Sequence, residues 1–247
     1  MKKKGGEVFF NRKIENLEQL KEFDYIIGAD GPNSHIRKFT DCKVKIVPAA
    51  QYKMHLQEYN KDFLEFFADK DVTKHYAWNF PKKDCYNVGI IGNFNNLDKF
   101  IAKYSIRGDI IKKEGFPITH SGKNIKKNNI LLIGDAAGMV NVFSKGGLAP
   151  IVYASEVLSK CISNGDIKNY EKKIFQHEAF HNIFEESNKI LEELTQREIE
   201  KIGEIVHEKN LFKLPLYSKI HMLYHINLFK KSKKLLEGYE KGLKYGW

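Results

Sequence analysis

The run Gly134-Asp135-Ala136-Ala137-Gly138 follows directly on the apolar stretch Ile130-Leu131-Leu132-Ile133. A hydrophobic strand that closes on Gly-Asp and then on small residues can bring backbone close to a bulky polar ligand. Glycine lacks the Cβ that would block the approach. The Asp carboxylate can accept hydrogen bonds from ligand hydroxyls. The same five residues also suit an ordinary strand-to-loop turn with an Asp helix cap. A second run of this kind stands earlier in the chain. Tyr25-Ile26-Ile27 leads into Gly28-Ala29-Asp30-Gly31-Pro32-Asn33, with Ser34 and Arg37 following at spaced positions. Asp-Gly and Gly-Pro form turns, and alone they read as a surface turn. Two short strands that each close on a Gly/Asp loop suggest one shared ligand, because ligands of open α/β sheets gather at the carboxyl ends of strands.

A third constellation is apolar. Tyr76, Trp78 and Phe80 alternate, so on a strand they project from one face. Such a face makes a flat apolar wall. A sheet face packed on its own core would use the same residues. No nucleophile beside a base, no paired carboxylates and no triad can be assembled, so no catalytic residue is assigned. That pattern suits a redox protein whose cofactor carries the hard chemistry.

These residues need elements to hold them. A short strand is expected at Val8-Phe9-Phe10 and another at Tyr25-Ile26-Ile27. From 43 to 94 the pattern changes to strand alternation: Val44, Ile46, Met54 and Leu56, then Phe63 to Phe67, Tyr76 to Phe80, and Tyr86 to Ile91. Pro81-Lys82-Lys83-Asp84 reads as a hairpin turn between the last two. Leu97 to Tyr104 reads as a helix. After the strand at Ile130 a helix is expected from about Gly147 to Ile162, with Ile151, Ala154, Val157, Leu158 and Cys161 as its apolar stripe. Asn164-Gly165 is a good stop. Beyond it the pattern is helical, in one stretch carrying Ile190, Leu191, Leu194, Ile202, Ile205 and Val206, and another carrying Leu216, Ile220, Leu223, Tyr224 and Leu228.

Composition narrows the class. The 247 residues, 42% of them hydrophobic, suit a globular chain. No apolar run approaches the ~20 residues of a membrane span, and no apolar core follows Met1-Lys2-Lys3-Lys4 to make a secretory signal. The three cysteines, Cys42, Cys85 and Cys161, are odd in number and far apart, so neither a disulfide framework nor a metal site is expected. A cytoplasmic setting, with membrane association possible, fits best. His177 and His181 could share one helical face, and a solvated face is the better reading. The net charge of +10 is uneven. Tyr170 to Glu208 holds five Lys/Arg against ten Asp/Glu, and Lys209 to Trp247 holds nine Lys against two Glu. That basic end could sit on an anionic membrane surface. No nucleic-acid motif accompanies it, and no nucleic-acid partner is expected.

Ala29-Asp30-Gly31 with Ser34 and Arg37 resembles the second fingerprint of FAD-dependent monooxygenase-type flavoproteins. Gly134 to Gly138, followed by Gly146-Gly147, resembles the third. Tyr76-Ala77-Trp78-Asn79-Phe80-Pro81-Lys82, between them, is similar to the Tyr-x-Trp-x-Phe-Pro signature of the geranylgeranyl reductase branch. The resemblance covers roughly residues 20–165. The family's opening Gly-x-Gly-x-x-Gly turn, its acidic ribose partner and the cysteine motif of its archaeal members have no counterpart here. The chain therefore reads as the C-terminal portion of a longer flavoprotein, with an N-terminal half that could be encoded separately, or as an inactive fragment.

The resemblance implies an α/β protein, α+β overall. An incomplete FAD-binding Rossmann-type domain (1–42 and 119–165) would carry an inserted antiparallel β-sheet substrate domain (43–118) and a helical C-terminal region (166–247). It implies an FAD-dependent oxidoreductase reducing C=C bonds of a geranylgeranyl lipid by hydride transfer, fed by NAD(P)H or a ferredoxin-type donor. A flavin monooxygenase or halogenase on the same scaffold is the alternative. Asp135 would bond the ribityl chain, a charged hydrogen bond worth roughly 1.5–3 kcal/mol. Gly134, Ala136 and Gly138 would shape that loop. Asp30 and Gly31 would lie near the pyrophosphate and the nicotinamide entry route, with Arg37 as a phosphate contact or a helix-positioning ion pair. Gly146 and Gly147 would open a helix whose dipole stabilises negative charge on the reduced ring. Tyr76, Trp78, Phe80 and Pro81 would face the lipid. Two departures stand near the third fingerprint: Val142 where the family usually has Pro, and Ser144-Lys145 for a more Gly/Thr-like pair. Lys145 could neutralise flavin charge or mark a drifted site.

Overall fold

The computed structural model describes residues 5–57, 62–206 and 226–245. Two sheets organise them. The smaller joins β1 (Ile26–Gly28) in parallel to β8 (Ile130–Leu132), which pairs antiparallel with β7 (Lys126–Lys127). The larger is antiparallel, in the order β3 (Glu65–Phe67), β4 (Ala77–Pro81), β5 (Tyr86–Ile91), β2 (Lys43–Leu56), β6 (Gly108–Lys123). It lies within the connection between the parallel strands β1 and β8. The mixed α/β class expected from the sequence is what the chain adopts.

Each sheet covers its own core. In β2 the alternation turns Ala50, Tyr52 and Met54 inward, where they meet Val88 and Ile90 of β5 and the buried Leu97 and Phe100 of α1 (Phe94–Lys103). Asn93 caps α1 by accepting from Asn96 N. In the small sheet Leu131 and Leu132 have no exposed surface. Burying such a side chain is worth roughly 1.5–3 kcal/mol, so three residues suffice for a strand covered on both faces. They pack with Ala154, Leu158 and Cys161 of α2 (Leu148–Ser163) and Tyr170 and Ile174 of α3 (Tyr170–Phe175). Tyr170 Oη donates to Leu132 O at 2.8 Å. At the end of α2, Gly165 follows the Asn164 cap at φ +65°.

The C-terminal region is helical: α4 (Ile183–Glu193), α5 (Gln196–Val206) and α6 (Ile226–Tyr245). The acidic and basic segments meet here. Lys231 pairs with Glu198 at 2.9 Å, and Lys234 and Lys241 pair with Glu186 and Glu178. Ser187 Oγ donates to Lys234 O at 2.9 Å, and a Cβ on Gly238 would overlap that serine.

Several expectations need correction. Val8-Phe9-Phe10 is not a strand: it has no pairing partner among the described residues, and its side chains are exposed. The segment before Thr119, left without an element, is the long strand β6. Lys112, Lys113, Glu114, Gly115 and Pro117 break its apolar alternation. Pro is tolerated there because β6 is an edge strand of its sheet, where Pro117 faces only Pro48 of β2; beyond it His120 bridges to Val140. The helical stretch from 190 to 206 is two helices, because Leu194 is extended and Thr195 starts a new cap. Glu198 Oε2 accepts from Thr195 N at 2.9 Å, a capping box written in Thr195-Gln196-Arg197-Glu198. His177 and His181 flank a 3₁₀ turn with extended backbones, so they share no helical face. Leu216, Ile220, Leu223 and Tyr224 lie outside the described residues. Leu228 lies in α6, where its side chain is not described.

Candidate functional site

Parallel pairing of β1 with β8 sets the two Gly/Asp loops side by side at the carboxyl ends of neighbouring strands. Arg37 joins them. Its Nη1 donates to the carbonyls of Ala136 at 3.0 Å and Asp135 at 3.4 Å, and its Nη2 donates to Pro32 O at 2.6 Å. All are backbone oxygens, so Arg37 acts as an internal brace. Among the described residues it does not form the ion pair considered from sequence.

Asp30 serves its own loop. Its carboxylate accepts from Ser34 Oγ at 2.5 Å, His35 N at 2.6 Å and Ile36 N at 3.2 Å. Burial opposes its charge, but these hydrogen bonds prevail and hold its pKa below the ordinary carboxylate value. Gly31 faces open space. Asp135 is half-buried in the short 3₁₀ turn Gly134–Ala137, and Ala136 is buried beside it. Thr119 Oγ1 donates to Asp135 O at 2.5 Å and lies 3.3 Å from Oδ1. Sequence reasoning missed Thr119, because nothing local links a strand residue to a loop sixteen positions on.

Gly138 ends this turn at φ +64°. A Cβ there would come within 2.8 Å of Val44 Cγ1 and 3.0 Å of Gly122 N. The close approach that requires this glycine is therefore between two parts of the chain, β6 and the loop after β8.

From Gly138 the chain enters a tight turn at 141–146. Asn141 Oδ1 accepts from Phe143 N at 2.9 Å and Ser144 N at 3.0 Å. Lys145 takes φ +57°, a conformation that strains any residue with a side chain and recurs at functional sites. Its Nζ is turned inward, donating to Val142 O and to Asn188 Oδ1 of α4 at 3.0 Å. Burial lowers its pKa to about 8, against the opposing pull of Glu192 and Glu185. The Gly146 N–H is taken by Ser144 Oγ at 3.1 Å. Gly147 then caps α2, with no side chain bonded to the helix start, and Leu148 is 78% exposed. The positive end of the helix dipole thus opens outward.

The aromatic triplet meets this turn. Tyr76 Oη donates to Ser144 O at 2.5 Å, and burial raises the phenol's pKa. Tyr76, Trp78 and Phe80 stand in a row, with ring centroids 6.1 and 6.0 Å apart. They line a cavity of about 320 Å³ with Phe116, Lys145 and Gly146. Trp78 lies over its cross-strand partner Gly89, where a Cβ would sit 2.2 Å from the ring. Gly89 is a second missed residue. Its signal was a glycine inside a strand, which marks close approach. Pro81 is set apart: it alternates to the other face, pairs with Tyr86 at the hairpin end, and does not line the cavity.

A larger cavity, about 580 Å³, lies by Gly122, Gly138 and Asn141 against Phe180, His181 and Phe184. It includes neither the aromatic row nor Gly146; the smaller cavity brings these together, but Asp30, Gly31, Gly134, Asp135, Ala136 and Gly147 line neither. Among the described residues no cluster of His, Cys, Asp or Glu could hold a metal, and no helix is long and apolar enough to cross a membrane.

No family model matches the chain. Curated relatives do. Digeranylgeranylglycerophospholipid reductase 3 of Methanosphaera stadtmanae is 31% identical over 67% of this chain and 48% of its own length. Digeranylgeranylglycerophospholipid reductase of Methanococcus vannielii is 30% identical over 71% of this chain and 50% of its own. The chain thus spans about half the length of these relatives. A geranylgeranyl bacteriochlorophyll reductase-like protein of Thermoplasma acidophilum shares the fold, with a TM-score of 0.67 and 24% identity over 86% of this chain and 62% of its own. With its two Gly/Asp loops braced together and its aromatic row set beside the glycine turn, the chain belongs to the geranylgeranyl reductase family.

Proposed function

We propose that this chain serves the flavin-dependent reduction of C=C bonds in an isoprenoid lipid. The observation that carries the reading is the row Tyr76, Trp78, Phe80, which lines a cavity closed on one side by the turn that starts α2. An apolar chain laid on those rings would lie beside the helix start, where negative charge is favoured.

The residues fit a flavin, and we take FAD as the form bound. The uncapped start of α2, with Gly146 and Gly147, would face the electron-rich part of the ring. The Lys145 ammonium, nine-tenths buried at the cavity, adds positive potential. Asp135, fixed by Thr119 and Arg37, would accept from the ribityl hydroxyls. Gly134, Ala136 and Gly138 hold that loop in shape. Asp30 shapes the neighbouring loop, and Gly31 leaves its surface open for a phosphate. A bound flavin would supply the hydride, and a proton added at the neighbouring carbon completes the saturation. NAD(P)H or a ferredoxin-type protein is the proposed electron donor. The lipid would arrive from a membrane surface, which the exposed Lys230 and Lys233 of α6 could approach.

The test is direct. The purified chain is mixed with FAD, freed of excess, reduced with dithionite, and given a geranylgeranylated glycerophospholipid. Retained flavin absorbance and a mass gain of two hydrogens per reduced bond are expected, with both the gain and the binding weakened in Trp78→Ala. A chain that retains flavin but leaves the lipid unchanged would refute the substrate assignment. One that retains none would refute the cofactor assignment for this chain.

A further inference from the structure

The larger sheet has two faces, and strand register assigns residues to each. One face carries Ala50, Tyr52, Met54, Val88 and Ile90 against α1. The other carries the aromatic row, and it changes character across the strands. Phe66, Trp78, Gly89, Gln51 and Glu114 stand opposite one another in turn on β3, β4, β5, β2 and β6. One pair further out, Phe80, Asn87, Lys53 and Lys112 stand in line on β4, β5, β2 and β6. In these two rows the face is aromatic on β3 and β4 and polar on β2 and β6; in the other direction along β2 and β6 it is apolar again, with Ala49, Phe116 and Ile118 lining the cavity.

The polar half is organised. Gln51 Nε2 donates to Glu114 Oε2 at 2.7 Å. The same carboxylate gathers Lys112 at 2.7 Å and Lys53 at 3.9 Å. The strip holds more positive than negative charge, and both ammonium groups reach solvent, with side-chain exposures of 39% for Lys53 and 63% for Lys112. Between Phe80 and Lys53 lies Asn87, whose buried Oδ1 has no hydrogen-bond partner among the described residues. Neighbouring strands are about 4.8 Å apart, so Lys53, two strands from Phe80, lies about 10 Å away along the row. Gln51 and Glu114 line the cavity, whereas Lys53 and Lys112 do not; each is the next residue on the same face of its strand, two positions along from Gln51 and Glu114.

We propose that Lys53 and Lys112 form the headgroup subsite of this cavity, taking the phosphate of an amphiphile whose apolar chain lies on Phe66, Trp78 and Phe80. This rests on the isoprenoid reading above and adds where the polar end sits and what chemistry it carries. Glu114 holds the lysines in place while the site is empty and yields them to the stronger anion.

The test measures binding by Trp78 fluorescence in a Trp247→Phe background, with geranylgeraniol and geranylgeranyl phosphate as probes. The phosphate should bind about tenfold more tightly than the alcohol, or ~1.4 kcal/mol, and the preference should shrink in high salt. Lys53→Gln with Lys112→Gln should abolish the preference while leaving alcohol binding intact, which also reports that the sheet is folded. Glu114→Gln should enlarge it. Equal binding of the two probes by the unaltered chain, or a preference that survives the double substitution, would overturn the subsite and leave the isoprenoid reading standing. Failure to bind either probe would overturn both. Inorganic phosphate at equal concentration should not displace the probe; displacement would make this a free-phosphate site and refute the assignment.

Discussion

Arg37 Nη1 donates to Ala136 O at 3.0 Å, joining two loops 99 positions apart in sequence. The planar guanidinium also serves Asp135 O and Pro32 O, so one side chain sets the spacing of both Gly/Asp motifs. Arg37→Ala would leave these partly buried carbonyls short of a donor, at a cost of about 1–3 kcal/mol. Arg37→Lys should recover only part, because an ammonium cannot span the fork. Urea unfolding measures both. A loss below a few tenths of a kcal/mol for the alanine variant would show that the loops hold their places without the brace.

Gly138 and Gly165 have nearly the same backbone, φ +64° and +65°, but different surroundings. Gly165 has open space where a Cβ would go, so Gly165→Ala should cost only the left-handed penalty of about 1–2 kcal/mol. Gly138→Ala adds overlap with Val44 and Gly122, which typically costs another 1–3 kcal/mol. Chemical denaturation of the two variants should rank them in that order, and the reverse ranking would refute the close packing of β6 on this loop.

Gly89→Ala is expected to act on the cavity through Trp78. The new methyl would sit where the indole now lies, so the ring must swing away. The emission of Trp78 should shift, and isoprenoid binding should weaken several-fold with little change in far-UV circular dichroism. An unchanged emission spectrum would show that the ring does not rest on Gly89.

Buried histidines make the fold sensitive to acid. His75 and His120 are each pushed down to about 4, by burial first and then by the nearby Lys145 charge, with Glu192 opposing. In the unfolded chain they titrate near 6.5. Their folded values are the lower ones, so the unfolded state binds more protons between these limits. Their contribution is complete above about pH 6.5 and is lost as the pH falls toward about 4. Urea midpoints across that range should drop, and the drop should be smaller in a His75→Gln, His120→Gln variant.

Lys145 acts in the same sense at higher pH. Its folded pKa of about 8 lies below the ordinary 10.5, so stability should rise as the pH climbs between those values. Lys145→Met should flatten that rise. A rise of unchanged size would place the titrating group elsewhere.

Much of this protein can be read locally. The strand at Ile130 and the Gly-Asp turn after it, the hairpin at Pro81, and α2 with its Asn164-Gly165 stop all depend on near neighbours in sequence. So does the one-sided row of Tyr76, Trp78 and Phe80, because strand geometry alone sends alternate residues the same way. The capping box at Thr195 was equally local, and it was overlooked behind a continuous apolar stripe. β6 was hidden for another reason. An edge strand with one solvent-facing side carries little apolar signal, and only its partner β2 makes it a strand.

The sequence by itself determined the chain's local vocabulary: short apolar strands, glycine turns, an amphipathic α2, and a family pattern carried by three motifs. Tertiary structure alone decided what those pieces face. It turned Arg37 onto the carbonyls of Asp135 and Ala136, set Lys145 against Asn188, laid Trp78 on Gly89, and aligned Lys53 with Lys112 beyond the aromatic row. Except for Trp78 on Gly89, which one hairpin joins, these relationships link residues far apart in the chain, and all depend on strand register or loop closure, which no local run of residues encodes.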